Sequence, residues 1–332
     1  MSLKRNLSVN CNGDNMSGNN KKPLVILTGP TAVGKTELSI KLAKAINGEI
    51  ISADSIQVYK HFDIGSAKVT EEEMDGIKHY LIDVLEPDEE FNIYVFKKMA
   101  MEAMEEIYSK GKIPIIAGGT GFYIQALLYD IEFSEEEGDK TYRHMLEEKA
   151  KKEGVEVIHD MLKAVDPDSA NEIHANNLKR VIRALEYYNE TGMPISKHNK
   201  EQRQKESPYN FRYYVLNMDR EKLYNRVNIR VDIMVENVLI EEVTKLKEMG
   251  YGKELNSMQG IGYKVIRDYV DGVYDKYTAI ETLKKNTRNF AKRQITWFKR
   301  EKEVVWLNHE EFDNDKDKIL NFILEDLRKN IM

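Results

Sequence analysis

Cysteine is almost absent from this 332-residue sequence, whose one cysteine, Cys11, lies in a polar N-terminal stretch. A single cysteine excludes an internal disulfide framework and a cysteine-based zinc cluster within the chain. Long apolar runs are also missing. The longest, such as residues 24–27, have the length of a β-strand, far below the roughly 18 residues of a membrane span. Residues 1–20 have no apolar signal-peptide centre, so the sequence predicts a cytoplasmic protein without a membrane segment.

The composition is that of a globular protein, with 41% hydrophobic and 32% charged residues. A chain of this length is able to bury about 75% of its unfolded surface, which excludes a disordered or collagen-like chain. A net charge of −6 argues against nucleic acid as a partner, because phosphate binding needs clustered lysine and arginine. Any nucleic-acid surface therefore has to be a local cluster of positive charge.

The order of predicted elements indicates how the chain is organised. Short β-rich runs alternate with helical patterns from Lys22 onward, which predicts βαβ units and a parallel sheet. The pattern changes after Leu128, where an acidic stretch leads into helix-rich sequence, and strand character returns at Phe211. Asp219 is then predicted to cap one long helix that ends at Gly250.

The predicted domain organisation has five parts. Residues 1–20 are too polar to offset the entropy of ordering, so we expect a disordered leader. The remaining parts are the first part of the core domain (21–128), a helical insertion (129–208), the second part of the core with a basic C-terminal helix (209–310), and a C-terminal helical tail (311–332).

A phosphate-binding motif follows the first predicted strand. Residues Gly29-Pro30-Thr31-Ala32-Val33-Gly34-Lys35-Thr36 fit the pattern G-x-x-x-x-G-K-[ST] directly before an amphipathic helix. In such a P-loop the backbone N–H groups, the helix N-terminus and the lysine bind phosphates, and the threonine offers a hydroxyl to Mg²⁺. Kinases, NTPases and enzymes that expel diphosphate share this chemistry. We therefore expect an α/β fold, a P-loop parallel sheet flanked by helices, with a mainly helical inserted domain.

Two further segments follow predicted strands and so belong at the same edge of the sheet. Asp54 is interpreted as a general base or as a group beside Mg²⁺, with an Asx-turn or helix cap as the alternative. Three glycines surround Thr120, at positions 118, 119 and 121. They favour close approach of a ligand to the backbone, or a glycine turn in which Thr120 caps the next helix.

Two predicted helices have a basic face, although the net charge of the whole chain is negative. On the insertion helix, Lys179, Arg180 and Arg183 lie opposite an apolar face. The last helical block groups six cations on one side, Lys284, Lys285, Arg288, Lys292, Lys299 and Lys302. One such face is typical of a solvated helix, but two faces beside a polyphosphate site favour RNA. Arg226 and Arg230, one helical turn apart, are placed to meet a phosphate of the cleft.

These segments resemble the bacterial tRNA dimethylallyltransferases, also called tRNA isopentenyltransferases, over nearly all of residues 22–307. The resemblance depends on seven motifs in order. They are GPTAVGKT at 29–36, SADSIQVY at 52–59, GSAK at 65–68, GGTGFY at 118–123, RVIRALE at 180–186, QGIGYK at 259–264 and AKRQITWF at 291–298. The fold, activity and site residues of that family become expectations for this chain.

The resemblance implies a prenyl transfer. The dimethylallyl group of dimethylallyl diphosphate would pass to N6 of the adenosine just 3′ of the tRNA anticodon, with Mg²⁺ assistance and release of diphosphate. In such enzymes the P-loop holds the prenyl diphosphate instead of ATP. The implied partners are the tRNA anticodon stem-loop, gripped by the helical insertion, and dimethylallyl diphosphate, and we expect a monomer.

The resemblance also implies roles for individual residues. Asp54, Thr120 and Lys35 would be catalytic, with Asp54 in contact with N6. The P-loop residues and Arg230 would bind the diphosphate, and Thr36 the metal. The implied tRNA-binding residues are Asp54, Ser55, Ile56, Gln57, Thr120, Arg143, Lys179, Arg180, Val181, Ile182, Arg183, Lys292 and Arg293.

Two other functional classes are open from the residues alone. A small-molecule kinase would use Lys35 and Thr36 on ATP and Mg²⁺, but it leaves the basic faces and the helical insertion without a purpose. An RNA-binding GTPase or ATPase switch would need a base-specificity motif such as N-K-x-D, which the sequence does not contain.

Overall fold

The sheet is the centre of the computed structural model, which describes residues 21–132, 140–202 and 204–331. The leader predicted over residues 1–20 lies outside these ranges. Six strands form the sheet, β1 (Lys22–Thr28), β2 (Gly48–Ala53), β3 (His79–Tyr80), β4 (Ile113–Gly118), β5 (Tyr209–Asn217) and β6 (Val304–Asn308). Their order across the sheet is β3-β2-β4-β1-β5-β6, and every neighbouring pair is parallel.

Strand ends at one edge of the sheet lie side by side. Thr28 pairs with Gly118 on one side and Val215 on the other, and Gly118 also pairs with Ala53. The chain runs outward from β1 to β2 and β3, returns at β4, and then crosses β1 to reach β5. Ligands of open α/β sheets bind where the direction of winding reverses in this way. The loops that follow β1, β2 and β4 therefore converge on one place.

Helices cover both faces of the sheet because alternate strand residues are apolar on both sides. The core helices are α1 (Lys35–Ala45), α2 (Glu71–Met74), α3 (Ile93–Ser109), α4 (Gly121–Leu128), α10 (Arg220–Glu236), α11 (Leu239–Glu248), α12 (Ile261–Val270), α13 (Lys276–Phe298) and α14 (Lys316–Asn330). Ile26 and Ile116 pack with α3, α4 and α10–α13, whereas Val25 and Ile115 pack with α1 and α14. Among the described helices, none has the length and apolar character needed to cross a bilayer.

The helical insertion lies between α4 and β5. It contains α5 (Lys140–Glu153), α6 (Val155–Val165), α7 (Pro167–Glu172), α8 (Leu178–Thr191) and α9 (Ile195–Gln202). Leu146, Ile158, Leu162 and Leu185 form an apolar cluster of their own, separate from the clusters on the sheet. The predicted fold class, a helix-flanked parallel sheet with a mainly helical insertion, is confirmed.

The prediction of one long helix from Asp219 to Gly250 is wrong. Asp219 does cap α10, because its carboxylate accepts hydrogen bonds from the N–H groups of Glu221 and Lys222. The helix ends at Glu236, however, and α11 begins after Val238, whose φ of 64° is left-handed. Valine is not a helix-breaking residue, so sequence pattern alone gives no signal for this break.

We expect Val238→Gly to stabilise the protein. A left-handed conformation costs an L-residue roughly 1–2 kcal/mol, while glycine loses about 0.5–1 kcal/mol of backbone entropy on folding. Because Val238 is 50% exposed, its removal sacrifices little packing. The free energy of unfolding in urea should rise by up to about 1 kcal/mol. Val238→Ala, which keeps Cβ, is the control. Equal destabilisation by both variants would show that the left-handed backbone at this position is not strained.

Candidate active site

The P-loop turns sharply at its first glycine. Gly29 has φ 145°, and a Cβ at this position would lie 2.5 Å from the Leu216 carbonyl oxygen, so only glycine fits. Gly34, with φ 105°, precedes α1 and leaves its first N–H groups without a side-chain cap. Uncapped N–H groups at a helix N-terminus, together with the helix dipole, attract anions. The loop geometry therefore suits the polyphosphate that the motif predicts.

Lys35 lies inside the loop. Its ammonium group donates hydrogen bonds to the carbonyl oxygens of Gly29 at 3.0 Å and Pro30 at 2.8 Å. Burial and the positive charge of Arg230 lower the pKa of Lys35 to about 7, against the attraction of Asp54. Carbonyl oxygens only partly replace a full negative charge, so an anion in the loop would restore the charged form of this lysine.

Helix α10 places two arginines over the P-loop. The Arg226 Nε–H donates to the Ala32 carbonyl oxygen at 2.8 Å, and Arg230 Nη1 lies 3.4 Å from the Thr31 hydroxyl. Burial and the neighbouring Arg226 lower the pKa of Arg230, and Asp54 opposes this effect. The predicted pair of cleft arginines therefore does lie beside the phosphate loop.

Asp54 follows β2 and faces the same group of cations. Its Oδ1 accepts hydrogen bonds from the backbone N–H groups of Ile56 at 2.9 Å and Gln57 at 3.3 Å, which is the Asx-turn of the alternative interpretation. The carboxylate also lies near enough to Lys35 and Arg230 to act on their charges. Asp54 is only half-buried, so forming the turn does not remove it from the site.

The three glycines around Thr120 serve packing within the protein. A Cβ on Gly118 would lie 2.3 Å from the Ala53 carbonyl oxygen, and one on Gly121 would lie 2.1 Å from the Trp297 ring. Protein atoms fill the space of the missing side chains, so close approach within the protein accounts for these glycines, and the approach of a ligand to this backbone stays a prediction. Thr120 occupies the N-cap position of α4, but its hydroxyl makes no capping hydrogen bond. The threonine hydroxyl is therefore not used to start the helix.

Gln294 of α13 joins the two loops, a role that sequence reasoning missed. Its Oε1 accepts the Thr31 N–H at 2.9 Å, and its Nε2 donates to the Gly119 carbonyl oxygen at 3.0 Å. A Cβ on Gly119 would lie 2.2 Å from this amide. The available signal was one polar residue between Phe290 and Trp297 on the inner face of the helix.

The basic face of α8 is present as predicted. Lys179, Arg180 and Arg183 are exposed, and no ion pair involves them among the described residues. Val181 and Ile182, predicted within the same tRNA-binding segment, are 0% and 2% exposed. Their side chains form the core of the insertion, so direct contact of those side chains with RNA is excluded. Only the three cations of this segment reach solvent.

The basic face of α13 is narrower than predicted. Lys284 pairs with Asp232 at 2.7 Å, and Arg288 donates to the Asn228 side chain at 2.6 Å, so both are directed at α10. Lys299 and Lys302 follow the last residue of α13 and so lie beyond its end. Lys285, Lys292 and Arg293 stay exposed on the helix.

Arg143 lies within the insertion. Its Nε and Nη2 donate to the two carboxylate oxygens of Glu186, both at 2.7 Å, and Glu186 is 1% exposed. Such a bidentate pair holds α5 against α8. Arg143 therefore supports the helix that carries the basic face, and its predicted contact with tRNA stays a prediction.

Comparison with known proteins identifies the family to which this chain belongs. A sequence model described as IPP transferase matches residues 57–301. The chain belongs to the IPP transferase family. It is 60% identical over 294 residues to a tRNA dimethylallyltransferase of Lachnoclostridium phytofermentans, covering 89% of this chain and 94% of the relative. It is 53% identical over 298 residues to the tRNA dimethylallyltransferase of Acetivibrio thermocellus, covering 90% and 95%.

Solved structures of the family have the same fold. The full-length tRNA isopentenylpyrophosphate transferase of Bacillus halodurans superimposes with a TM-score of 0.70 at 44% identity, covering 93% of this chain and 98% of the other. A eukaryotic dimethylallyltransferase, solved acting on tRNA, gives a TM-score of 0.75 at 32% identity, covering 86% and 74%. The resemblance found in the sequence motifs is thus confirmed.

We expect the affinity for diphosphate to fall as pH rises above about 7. The pKa of Lys35 in the free protein is about 7, and this lysine stabilises the bound anion only in its charged form. Each pH unit above that value should weaken binding by up to about tenfold, until the raised pKa of the complex is reached. Calorimetry with inorganic diphosphate from about pH 6 to about pH 9 measures this slope.

Lys35→Met supplies the control for this titration. It should bind diphosphate more weakly throughout and keep only the pH dependence of the ligand itself. Wild-type protein should also take up a proton on binding above pH 7, seen as a heat that depends on the buffer. An identical pH slope in the wild type and Lys35→Met would contradict the role of this lysine.

Proposed function

We propose that the chain transfers the dimethylallyl group of dimethylallyl diphosphate to N6 of the adenosine just 3′ of a tRNA anticodon, releasing diphosphate. The observation that carries this proposal is that an anion-binding loop after β1 and a carboxylate after β2 meet across the end of β4, in a chain of the IPP transferase family. The names of its relatives support the choice of substrates.

The P-loop and its cations would hold the leaving group. An exocyclic adenine nitrogen is a poor nucleophile, because its lone pair is delocalised into the ring. The allylic carbon must therefore be activated by breaking its bond to the diphosphate oxygen. Lys35, Arg230 and the loop N–H groups would stabilise the negative charge that develops on that oxygen, where fixed dipoles and charges contribute most. Lys35 would exchange its two carbonyl partners for the anion.

Asp54 would act on the nucleophile. The new bond joins N6 to the allylic carbon while the carbon–oxygen bond breaks, and the proton that N6 loses needs an acceptor. Asp54 lies beside the cations, with one oxygen held by the turn. We propose that the carboxylate orients N6 and accepts this proton. Thr120, whose hydroxyl makes no capping bond, would contact the same substrate.

Enzymes of this family use a divalent metal ion, and we propose Mg²⁺. Among the described residues, no cluster of three or more His, Cys, Asp or Glu side chains is placed to hold a metal. Mg²⁺ suits such a site, since it commonly binds through one or two protein oxygens plus phosphates and water. Thr36, exposed at the start of α1, would supply one oxygen. When bound, the ion would neutralise charge on the diphosphate.

The helical insertion would grip the RNA. The exposed cations of α8, with Lys292 and Arg293 of α13, supply positive charge that a small-molecule kinase would not need. An adenine in an unpaired loop is extruded for a few kcal/mol, less than one in a duplex. We also propose that the enzyme acts as a monomer.

The role of Asp54 is tested by Asp54→Asn. The amide keeps an oxygen for the Ile56 N–H but cannot take the proton, and loss of a general base typically costs about 10²- to 10⁴-fold in rate. Single-turnover transfer to an anticodon stem-loop should fall by this factor, while the affinities for RNA and prenyl diphosphate stay near those of the wild type. An unchanged rate would exclude Asp54 as the proton acceptor, and full recovery at raised Mg²⁺ would make it a metal-associated residue.

The basic face of α8 is tested by salt dependence. Replacing Lys179, Arg180 and Arg183 by alanine should weaken RNA binding and flatten the plot of log affinity against log salt by about 0.7–0.9 for each phosphate that the protein no longer neutralises. Donor affinity should not change. The matched control removes three exposed lysines of α3, α11 and α14, Lys98, Lys245 and Lys329. Equal salt slopes for the two triple variants would make the α8 face an ordinary solvated surface.

A further inference from the structure

Glu242 of α11 binds a loop that connects to the site. Its Oε2 accepts the N–H groups of Asp63 at 3.0 Å and Ile64 at 2.7 Å, and its Oε1 accepts the Gly65 N–H at 3.1 Å and the Tyr263 hydroxyl at 2.7 Å. Four donors therefore surround one carboxylate. A hydrogen bond to a charged group contributes roughly twice as much as a neutral one, so Glu242 fixes this loop to the helical layer through charge-assisted hydrogen bonds.

The loop continues toward Asp54 through Gln57. The Gln57 side-chain amide donates to the carbonyl oxygens of Ser66 at 3.2 Å and Ala67 at 3.3 Å, and its Oε1 accepts the Ser52 hydroxyl at 3.1 Å. The backbone N–H of the same glutamine donates to Asp54 Oδ1 at 3.3 Å. One residue thus contacts both the loop held by Glu242 and the carboxylate that faces the cations.

Close packing fixes the loop in one position. A Cβ on Gly65 would lie 2.6 Å from the Tyr263 ring, so the loop backbone rests directly on that ring. On the other side, the buried Lys68 ammonium donates to the Tyr59 carbonyl oxygen at 2.8 Å and pairs with Asp63 and Asp83. Interiors packed this closely transmit a displacement instead of absorbing it.

We propose that Glu242 is a positioning residue, which sets the Asp54 carboxylate against N6 of the adenosine by way of the loop at 63–67 and Gln57. This inference rests on the proposed function of Asp54. Glu242 itself touches no substrate in this scheme. A shift of about 1 Å at a reacting group costs up to about 10²-fold in rate. Loss of the Glu242 hydrogen bonds, which reach Asp54 through the loop and Gln57, should therefore change the rate measurably.

The test is a double-mutant cycle on the single-turnover rate of prenyl transfer to an anticodon stem-loop. Glu242→Ala should slow transfer at least about tenfold in the wild-type background, within the range for misplaced groups. In the Asp54→Asn background, the same change should slow transfer less than about twofold, because the carboxylate it positions is gone. Affinities for diphosphate and RNA should stay near wild type in both.

Matched variants separate positioning from loss of structure. Glu241→Gln, an exposed neighbour on α11, should leave the rate unchanged. Tyr263→Phe removes one donor to Glu242 but keeps the three backbone donors, and it should cause a smaller loss than Glu242→Ala. If Glu242→Ala lowers the unfolding temperature enough to leave unfolded protein, the cycle is run with Glu242→Gln, and the same non-additivity is expected.

Three results would overturn the proposal: an unchanged rate in Glu242→Ala, equal losses in the two Asp54 backgrounds, or a loss confined to substrate affinity. These results are distinct from failure of the proposed function. If Asp54→Asn alone keeps the parent rate, the assignment of Asp54 is wrong. If Asp54→Asn loses the rate and Glu242→Ala does not, only the positioning role is wrong.

Discussion

Parallel register at the ends of β1, β2 and β4 is the constraint on which the site depends. Thr28, Gly118 and Ala53 lie in one row, so the residues that follow them emerge side by side. The P-loop and Asp54 are distant in sequence, yet the sheet brings them into one electrostatic environment. The absence of a side chain at Gly118 permits this approach, because a Cβ there would collide with Ala53.

Several positive charges are held close together at this edge of the sheet. Burial is the main cause that lowers the pKa values of Lys35 and Arg230. Arg230 adds to this effect at Lys35 and Arg226 adds to it at Arg230, whereas Asp54 opposes both. Such a cluster is costly unless an anion completes it. A diphosphate would supply that charge, and its departure in a reaction would be favoured by the same groups. The same cations would thus bind the prenyl diphosphate and promote cleavage of its carbon–oxygen bond.

Motifs and apolar periodicity predicted the elements that depend on residues close together in the sequence. The P-loop motif identified the start of α1 at Lys35, and the apolar runs identified a parallel sheet. Contacts between distant segments were not predictable in this way. Glu186 as the partner of Arg143, and Gln294 as the bridge between two loops, depend on tertiary packing. The helix break at Val238 was missed because its local sequence has no breaker.

The glycines around Thr120 show that one local pattern can have more than one physical cause. Glycine does signal close approach, but the neighbour can be the protein itself, here Ala53, Gln294 and Trp297. The basic face of α8 was predictable, because the amphipathic period separates buried from exposed residues on one helix. By contrast, the tRNA-binding segment implied by the family resemblance included Val181 and Ile182, whose side chains are buried.

Alkylation of a tRNA adenosine is the activity proposed for this site. The most direct measurement incubates the full chain with dimethylallyl diphosphate, Mg²⁺ and unmodified tRNA, and then identifies the nucleosides by mass after digestion. We expect N6-dimethylallyladenosine at the position just 3′ of the anticodon, one diphosphate released for each group transferred, and no requirement for ATP. Unmodified adenosine together with phosphoryl transfer from ATP to a small molecule would contradict this activity.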